Sequence, residues 1–229
     1  MDTKTNRMQV EVWSDVMCPF CYLGKRRFAA ALAAFPDRDD VEIIWKSFQL
    51  NPSLKTDPEI SVAQYLAREK GFDVRVAEQM NDRVARMSRQ DGPIYNFDEV
   101  VVANTFDAHR LIHFARAHGL QDEAMERLFR AYFTEGRNVD DLATLIELGT
   151  EIGLDADALR AALESDAYTA EVNADIEEAR QLGISGVPFF VFDRKYAVSG
   201  AQESTVFQQA LEQAVAEWHE RQSTPELSS

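Results

Sequence analysis

Strand-forming sequence is confined to the two ends of this chain, and that distribution limits the available folds more than any other feature. Met8-Gln9-Val10-Glu11-Val12-Trp13 alternates apolar and polar residues, and Val41-Glu42-Ile43-Ile44-Trp45 reads as a second strand. Between them, Phe28, Leu32 and Phe35 recur at helical spacing within Tyr22 to Phe35, and Lys25, Arg26 and Arg27 read as a solvated face. The stretch from Phe48 to Ile60, with Pro52 and Pro58, reads as loop. From there to about Gly183 nearly everything is helical. Ser61 and Gln64 have capping-box spacing, Gly71 stops that helix, and Asp91-Gly92-Pro93 breaks the next. In that second helix Val76, Met80, Val84 and Met87 fall on one face. Asn104 or Thr105 caps a helix running to His118, and further starts stand at Gln121-Asp122-Glu123, Asp140-Asp141 and Asp155. A last helix of the block runs from about Ala167. Strand character returns at Phe189 to Phe192, turns at Asp193-Arg194-Lys195 into Tyr196-Ala197-Val198, and precedes a helix from about Thr205 to His219. The order is β-α-β, a long helical block, then β-β-α. A chain of 229 residues, 45% hydrophobic, buries a full core as one large domain or one domain carrying an insertion.

The chain has two cysteines, Cys18 and Cys21, in Cys18-Pro19-Phe20-Cys21 at the junction of the first strand and first helix. Thiols at i and i+3 there can cycle between dithiol and disulfide with little backbone movement. Pro19 suits the first helical position, which makes Cys18 the N-cap residue. Its sulfur is then expected among the free N–H groups of the first turn, where the helix dipole favours a thiolate. Cys21, turned toward the core, keeps its proton. Cys18 is therefore the attacking sulfur and Cys21 the resolving one.

Three plainer readings compete. A zinc site would draw on His109 and His113, but nearly ninety residues separate them from the cysteines, against about a dozen in finger sites. A structural disulfide across so short a loop stabilises little. Two incidental thiols do not explain the intervening Pro19. Redox chemistry is the expected role, with no metal.

The net charge of −15 disfavours nucleic acid and anionic membrane surfaces as partners. No apolar run approaches the roughly eighteen residues of a membrane span. Met1 to Arg7 leads into the first strand without the apolar core of a signal peptide, so a cytoplasmic location is expected. In a reducing compartment a lone C-x-x-C is catalytic rather than structural.

Several segments together resemble the DsbA family of thiol oxidoreductases, most closely its cytoplasmic FrnE-like branch. Ser14-Asp15-Val16-Met17-Cys18-Pro19-Phe20-Cys21-Tyr22-Leu23-Gly24-Lys25 is similar to that branch's active-site segment. Asn104-Thr105 with Ala108-His109-Arg110-Leu111 resembles its helical-domain signature, and Gly183-Ile184-Ser185-Gly186-Val187-Pro188-Phe189-Phe190 the segment bearing the family's cis-proline. The likeness runs from about Val10 to Trp218. It implies an α/β, thioredoxin-like fold with a large all-helical insertion: residues 8–60 and 184–220 form the thioredoxin-like domain, and 61–183 the insertion. It also implies a cis Val187-Pro188 bond lying against the cysteines, with Val187 offering its backbone to an extended substrate.

Pro19, Phe20, Val187, Pro188, Asp15 and His109 are thus candidate supporting residues beside Cys18 and Cys21. Asp15 is expected either to relay a thiol proton or to cap its loop. His109, His113 and His118 share a helix and read first as polar-face histidines; His109, in the matched segment, is the best candidate of the three for favouring a thiolate. The expected activity is protein thiol-disulfide exchange or isomerisation. No cofactor is expected beyond the redox-active disulfide itself, with glutathione as a possible co-substrate. Partners are thiol or disulfide proteins, or glutathione; oligomeric state is open. The alternative is a glutathione-dependent small-molecule isomerase or kappa-type transferase, whose apolar pocket would use Trp45, Phe48 and the insertion. A third reading is a binding domain that merely retains the motif.

Overall fold

In the computed structural model, residues 7–223 are described. The sequence also predicts a frayed Ser-Thr-Pro tail, which lies largely outside them, as do the first six residues. The central strand is β1 (Met8–Ser14), buried at every position but Gln9. It pairs in parallel with β2 (Val41–Ser47), Val12 opposite Trp45. On its other side it pairs antiparallel with β3 (Phe189–Phe192), Val12 opposite Phe190, and β3 continues into β4 (Tyr196–Ser199). The order is β2-β1-β3-β4. Two-stranded units are marginal alone, so this sheet forms only when the two ends of the chain meet along β1 and β3.

Alternation along the strands assigns the two faces. Val10, Val12, Phe190 and Phe192 point to one side, where α1 (Pro19–Ala33) and the C-terminal α9 (Ser204–Ser223) pack. There Phe28 meets Phe190, Phe192 and Phe207 with ring centroids 5.4–6.0 Å apart. On the other face Trp13 packs with Ala179 and Ile184, with Phe48, Phe189 and Val191 beside them.

Seven helices lie between β2 and β3 among the described residues: α2 (Val62–Lys70), α3 (Val74–Ser88), α4 (Phe106–Ala117), α5 (Gln121–Phe133), α6 (Leu142–Glu151), α7 (Ala156–Glu164) and α8 (Thr169–Gln181). The capping box at Ser61 and Gln64 is present, and Gly71 closes α2 in the left-handed region at φ 72°. At α4 the accepting side chain is Asn104, whose Oδ1 takes the Phe106 N–H at 2.8 Å; Thr105 makes no capping bond. A short 3-10 turn at Arg38–Asp40 precedes β2, where the sequence pattern gave no sign of one.

Two expectations about faces do not hold. Of Val76, Met80, Val84 and Met87, only Val84 is buried; α3 buries Ala77, Asn81, Val84 and Ser88. Lys25 and Arg27 are buried rather than solvated, because partners distant in sequence reach them. Lys25 Nζ bonds Asp122 at 2.8 Å from α5, and Arg27 Nε bonds Asp91 at 3.1 Å. Arg26, half-exposed, pairs with Glu126.

Candidate active site

Helix α1 begins at Pro19, with Cys18 as an extended N-cap residue at φ −90°, ψ 111°. The backbone prepares this turn: Cys18 N–H donates to Asp15 O, and Cys21 N–H to Cys18 O, both at 3.0 Å. The sulfur does not do what the capping argument expects. Cys18 makes no side-chain cap to the first turn; its thiol instead faces the Val187 carbonyl at 3.5 Å. The backbone is not the cause, since Ser61 and Asp155 cap their helices from the same extended region; the Cys18 Sγ is turned toward the segment entering β3.

Both thiols are free and mostly enclosed. Cys18 retains 4% exposure and Cys21 none, so only Cys18 offers an edge to solvent. Burial pushes the Cys21 thiol well above the ordinary range, and the adjoining Cys18 sulfur adds to the rise. The Ser14 hydroxyl and the Asp15 backbone N–H lie against Cys21 and act in the opposite direction.

The Val187–Pro188 peptide bond is cis, and Pro188 packs onto α1 at Gly24. A Cβ at Gly24 would stand 2.9 Å from Pro188 Cγ, closer than van der Waals contact allows. Glycine is needed there for that approach. Tyr95, arriving from the loop after α3, donates its hydroxyl to Pro19 O at 2.7 Å. Tyr22 carries the turn onto the insertion, stacking on Phe129 at 5.0 Å. Phe20, between the cysteines, is 42% exposed, and Leu50 is exposed at 47%.

The Asp15 carboxylate joins its turn to the loop after β2 and to α4. Its Oδ2 accepts the Leu50 N–H at 2.7 Å and its Oδ1 stands 3.4 Å from His109 Nε2. His109 is buried on α4 and faces this carboxylate, so the two serve as a tether between the redox loop and the insertion.

A profile of the DSBA-like thioredoxin domain matches residues 9–212. The chain belongs to that family. The probable DsbA oxidoreductase SCO1869 from Streptomyces coelicolor is 41% identical, with TM-score 0.87, over 97% of this chain and 94% of that one. The uncharacterized protein YwbO of Bacillus subtilis (strain 168) is 28% identical over 206 residues, 89% of this chain and 96% of its own. The cytosolic disulfide reductase DsbM from Pseudomonas aeruginosa, a structure also known with GSH, shares the fold at 20% identity and TM-score 0.62, covering 91% of this chain and 99% of its own.

Within this DSBA-like frame, a second polar cluster one turn along α4 joins three elements. His113 Nε2 stands 3.0 Å from Asp175 Oδ2 and 3.1 Å from Ser47 Oγ. Lys46 Nζ reaches Asp175 Oδ1 at 2.5 Å and Glu178 at 3.0 Å, and Ser47 N–H donates to Asp175 Oδ2 at 2.9 Å. Burial alone would raise the Asp175 carboxyl; the hydrogen bonds from His113, Lys46 and Ser47 outweigh it and hold it below the usual carboxylate range. His113 is therefore not a polar-face histidine. Nothing in the motif reading pointed to Asp175. The available signal was a charge spaced with Val172 and Ala179 on the buried face of α8.

Trp45 and Phe48 do not share the pocket expected of them. Trp45 lines a cavity of about 380 Å³ with Lys25, Phe28, Leu32 and Ile43, while Phe48 lies on the opposite face beside Trp13. Neither cysteine lines that cavity. Among the described residues, no three His, Cys, Asp or Glu side chains converge as metal ligands, and no helix is long and apolar enough to cross a membrane.

Proposed function

We propose that this DSBA-like protein is a thiol-disulfide oxidoreductase working through Cys18 and Cys21. The observation that carries the reading is the placement of the Cys18 thiol, with the pair's one exposed edge, 3.5 Å from the Val187 carbonyl beside cis Pro188. A disulfide substrate lying along that edge has its sulfur delivered to Cys18. The Cys18 thiolate attacks one substrate sulfur, forming Cys18–S–S–R and expelling the other as a thiolate, which takes up the proton that Cys18 gave up. Cys21 then attacks Cys18 Sγ, closing the Cys18–Cys21 disulfide, and its proton leaves with the second substrate thiol. The substrate gains two electrons and the enzyme loses two. In a reducing compartment, where we place the protein, the pair rests as a dithiol and acts as a reductase or isomerase. Glutathione is the proposed reductant that restores it.

The test is exchange by purified reduced protein with a peptide disulfide, read as free thiol released. Activity abolished in Cys18→Ser supports the reading; activity unchanged in that variant removes it.

A further inference from the structure

The resolving step has a difficulty that the two-cysteine cycle does not itself answer. Cys21 must become a thiolate to attack the mixed disulfide, yet it sits in a fully buried position, where an isolated charge is strongly disfavoured. Two polar neighbourhoods bear on its sulfur. On one side is Cys18, which in the mixed disulfide carries no charge. On the other is the end of β1. There the Ser14 hydroxyl is completely buried and finds no hydrogen-bond partner in the resting protein. Buried hydroxyls are almost always satisfied, so an orphan against a reactive sulfur asks for an explanation. The Asp15 backbone N–H addresses the same sulfur. Meanwhile the rest of this corner is fixed: Ser14 O accepts the Phe48 N–H at 3.1 Å and Asp15 O the Cys18 N–H at 3.0 Å.

We infer that Ser14 Oγ–H and Asp15 N–H form a two-donor thiolate hole at the end of β1, in which Ser14 is a catalytic residue for the resolving step. This rests on the exchange reading above and names a residue that reading does not use. In the dithiol state the neutral Cys21 thiol offers Ser14 only a weak acceptor, and the hydroxyl stays unsatisfied. As Cys21 gives up its proton, which ends on the departing substrate thiol, the sulfur becomes a strong acceptor and the hydroxyl turns to it. Both donors already lie at the sulfur before charge develops, so the response is the rotation of one hydroxyl rather than a rearrangement of the site. The hole serves Cys21 alone; the first attack, by Cys18 at the Val187 edge, is independent of it.

The experiment uses the full chain and glutathione disulfide, resolving two phases by acid quench and mass spectrometry: glutathione adduct formation on Cys18, and adduct loss as the internal disulfide closes. In Ser14→Ala, adduct formation keeps its wild-type rate. Adduct loss slows about tenfold, the scale for losing a hydrogen bond to a charged atom, and its pH midpoint moves up by about one unit. A second readout needs no turnover. In a Cys18→Ala background, thiolate absorbance titrates Cys21 directly, and adding Ser14→Ala raises the midpoint. Adduct loss at the wild-type rate, or an unmoved Cys21 midpoint, overturns the inference while leaving the exchange reading intact. A wild-type protein that forms no adduct on Cys18 removes the exchange reading, and this inference with it.

Discussion

The redox turn and the polar cluster one turn along α4 make an instructive pair. Around Asp175 every buried polar atom that the cluster brings together is spoken for: Lys46, His113, the Ser47 N–H and Ser47 hydroxyl all converge on two carboxylate oxygens or on one another. Around Cys21 the opposite holds, with an orphan hydroxyl and a thiol held protonated by burial. The first cluster binds β2, α4 and α8 into one arrangement and stays there. The second leaves donors idle where a charge must appear and vanish. Here the fully satisfied cluster is the structural joint, and the orphan hydroxyl lies where we propose the chemistry.

The largest effect should come from breaking the satisfied side. Asp175→Asn leaves Lys46 and His113 facing a neutral amide in a site that is almost closed to water, a change that costs about 3 kcal/mol where buried pairs are broken. At this chain length that is a fall in melting temperature of roughly 6–12 °C. Disulfide exchange measured on the folded variant should stay near wild type, because the cysteines do not touch this cluster. Exchange lost in step with stability would mean the two regions are one.

Gly24→Ala attacks the redox side by packing alone. The added methyl must displace Pro188, which overpacking penalises by about 1–3 kcal/mol. The Val187 carbonyl moves with Pro188 and away from Cys18, so exchange should fall by more than stability explains. A melt and a turnover assay on the same preparation read both, and unchanged turnover would detach Pro188 from the substrate edge.

How much of this was visible beforehand divides along the same line. The cysteine pair, Pro19, and the β-α-β and β-β-α ends were legible because strand alternation, helix starts and the C-x-x-C spacing are local patterns. The Val187-Pro188 segment was legible only through family resemblance. Lys25 and Arg27 misled because their partners, Asp122 and Asp91, lie 97 and 64 residues away, and a helix face cannot announce such neighbours. The α3 stripe misled for a related reason: Ala77, Asn81, Val84 and Ser88 form the face that meets the protein, and the more apolar Val76, Met80 and Met87 remain outside. Cys18 was placed correctly as the N-cap residue, but its thiol turns to the Val187 carbonyl, a neighbour 169 residues away that no spacing rule supplies.

A smaller, pH-dependent effect follows from Cys21. Its folded thiol is held above the unfolded value of about 8.5. The folded dithiol protein therefore binds more protons than the unfolded chain once pH passes that value. Stability present below it is lost as pH rises toward the folded value, by at most about 1.4 kcal/mol per pH unit. Cys21→Ala should remove this component. Denaturant melts of the reduced protein and of the variant at pH 7 to 10 supply the check, and parallel stability curves would contradict a buried thiol.

The smallest effect is expected at Asp15. Asp15→Asn keeps an oxygen for the Leu50 N–H and loses only the charge facing His109. A loss of about 1 kcal/mol with turnover essentially unchanged would fit a loop cap. Collapse of turnover in a stable Asp15→Asn variant would restore this carboxylate as a proton carrier.

The central claim is that Cys18 attacks and Cys21 resolves, and trapping tests it most directly. Cys21→Ser protein is mixed with a peptide disulfide near neutral pH, quenched in acid and mapped by peptide mass. The account predicts a persistent mixed disulfide on Cys18, with turnover abolished because no second thiol can close the ring. A Cys21→Ser protein that forms no adduct on Cys18 and still turns over disulfide at the wild-type rate would contradict it.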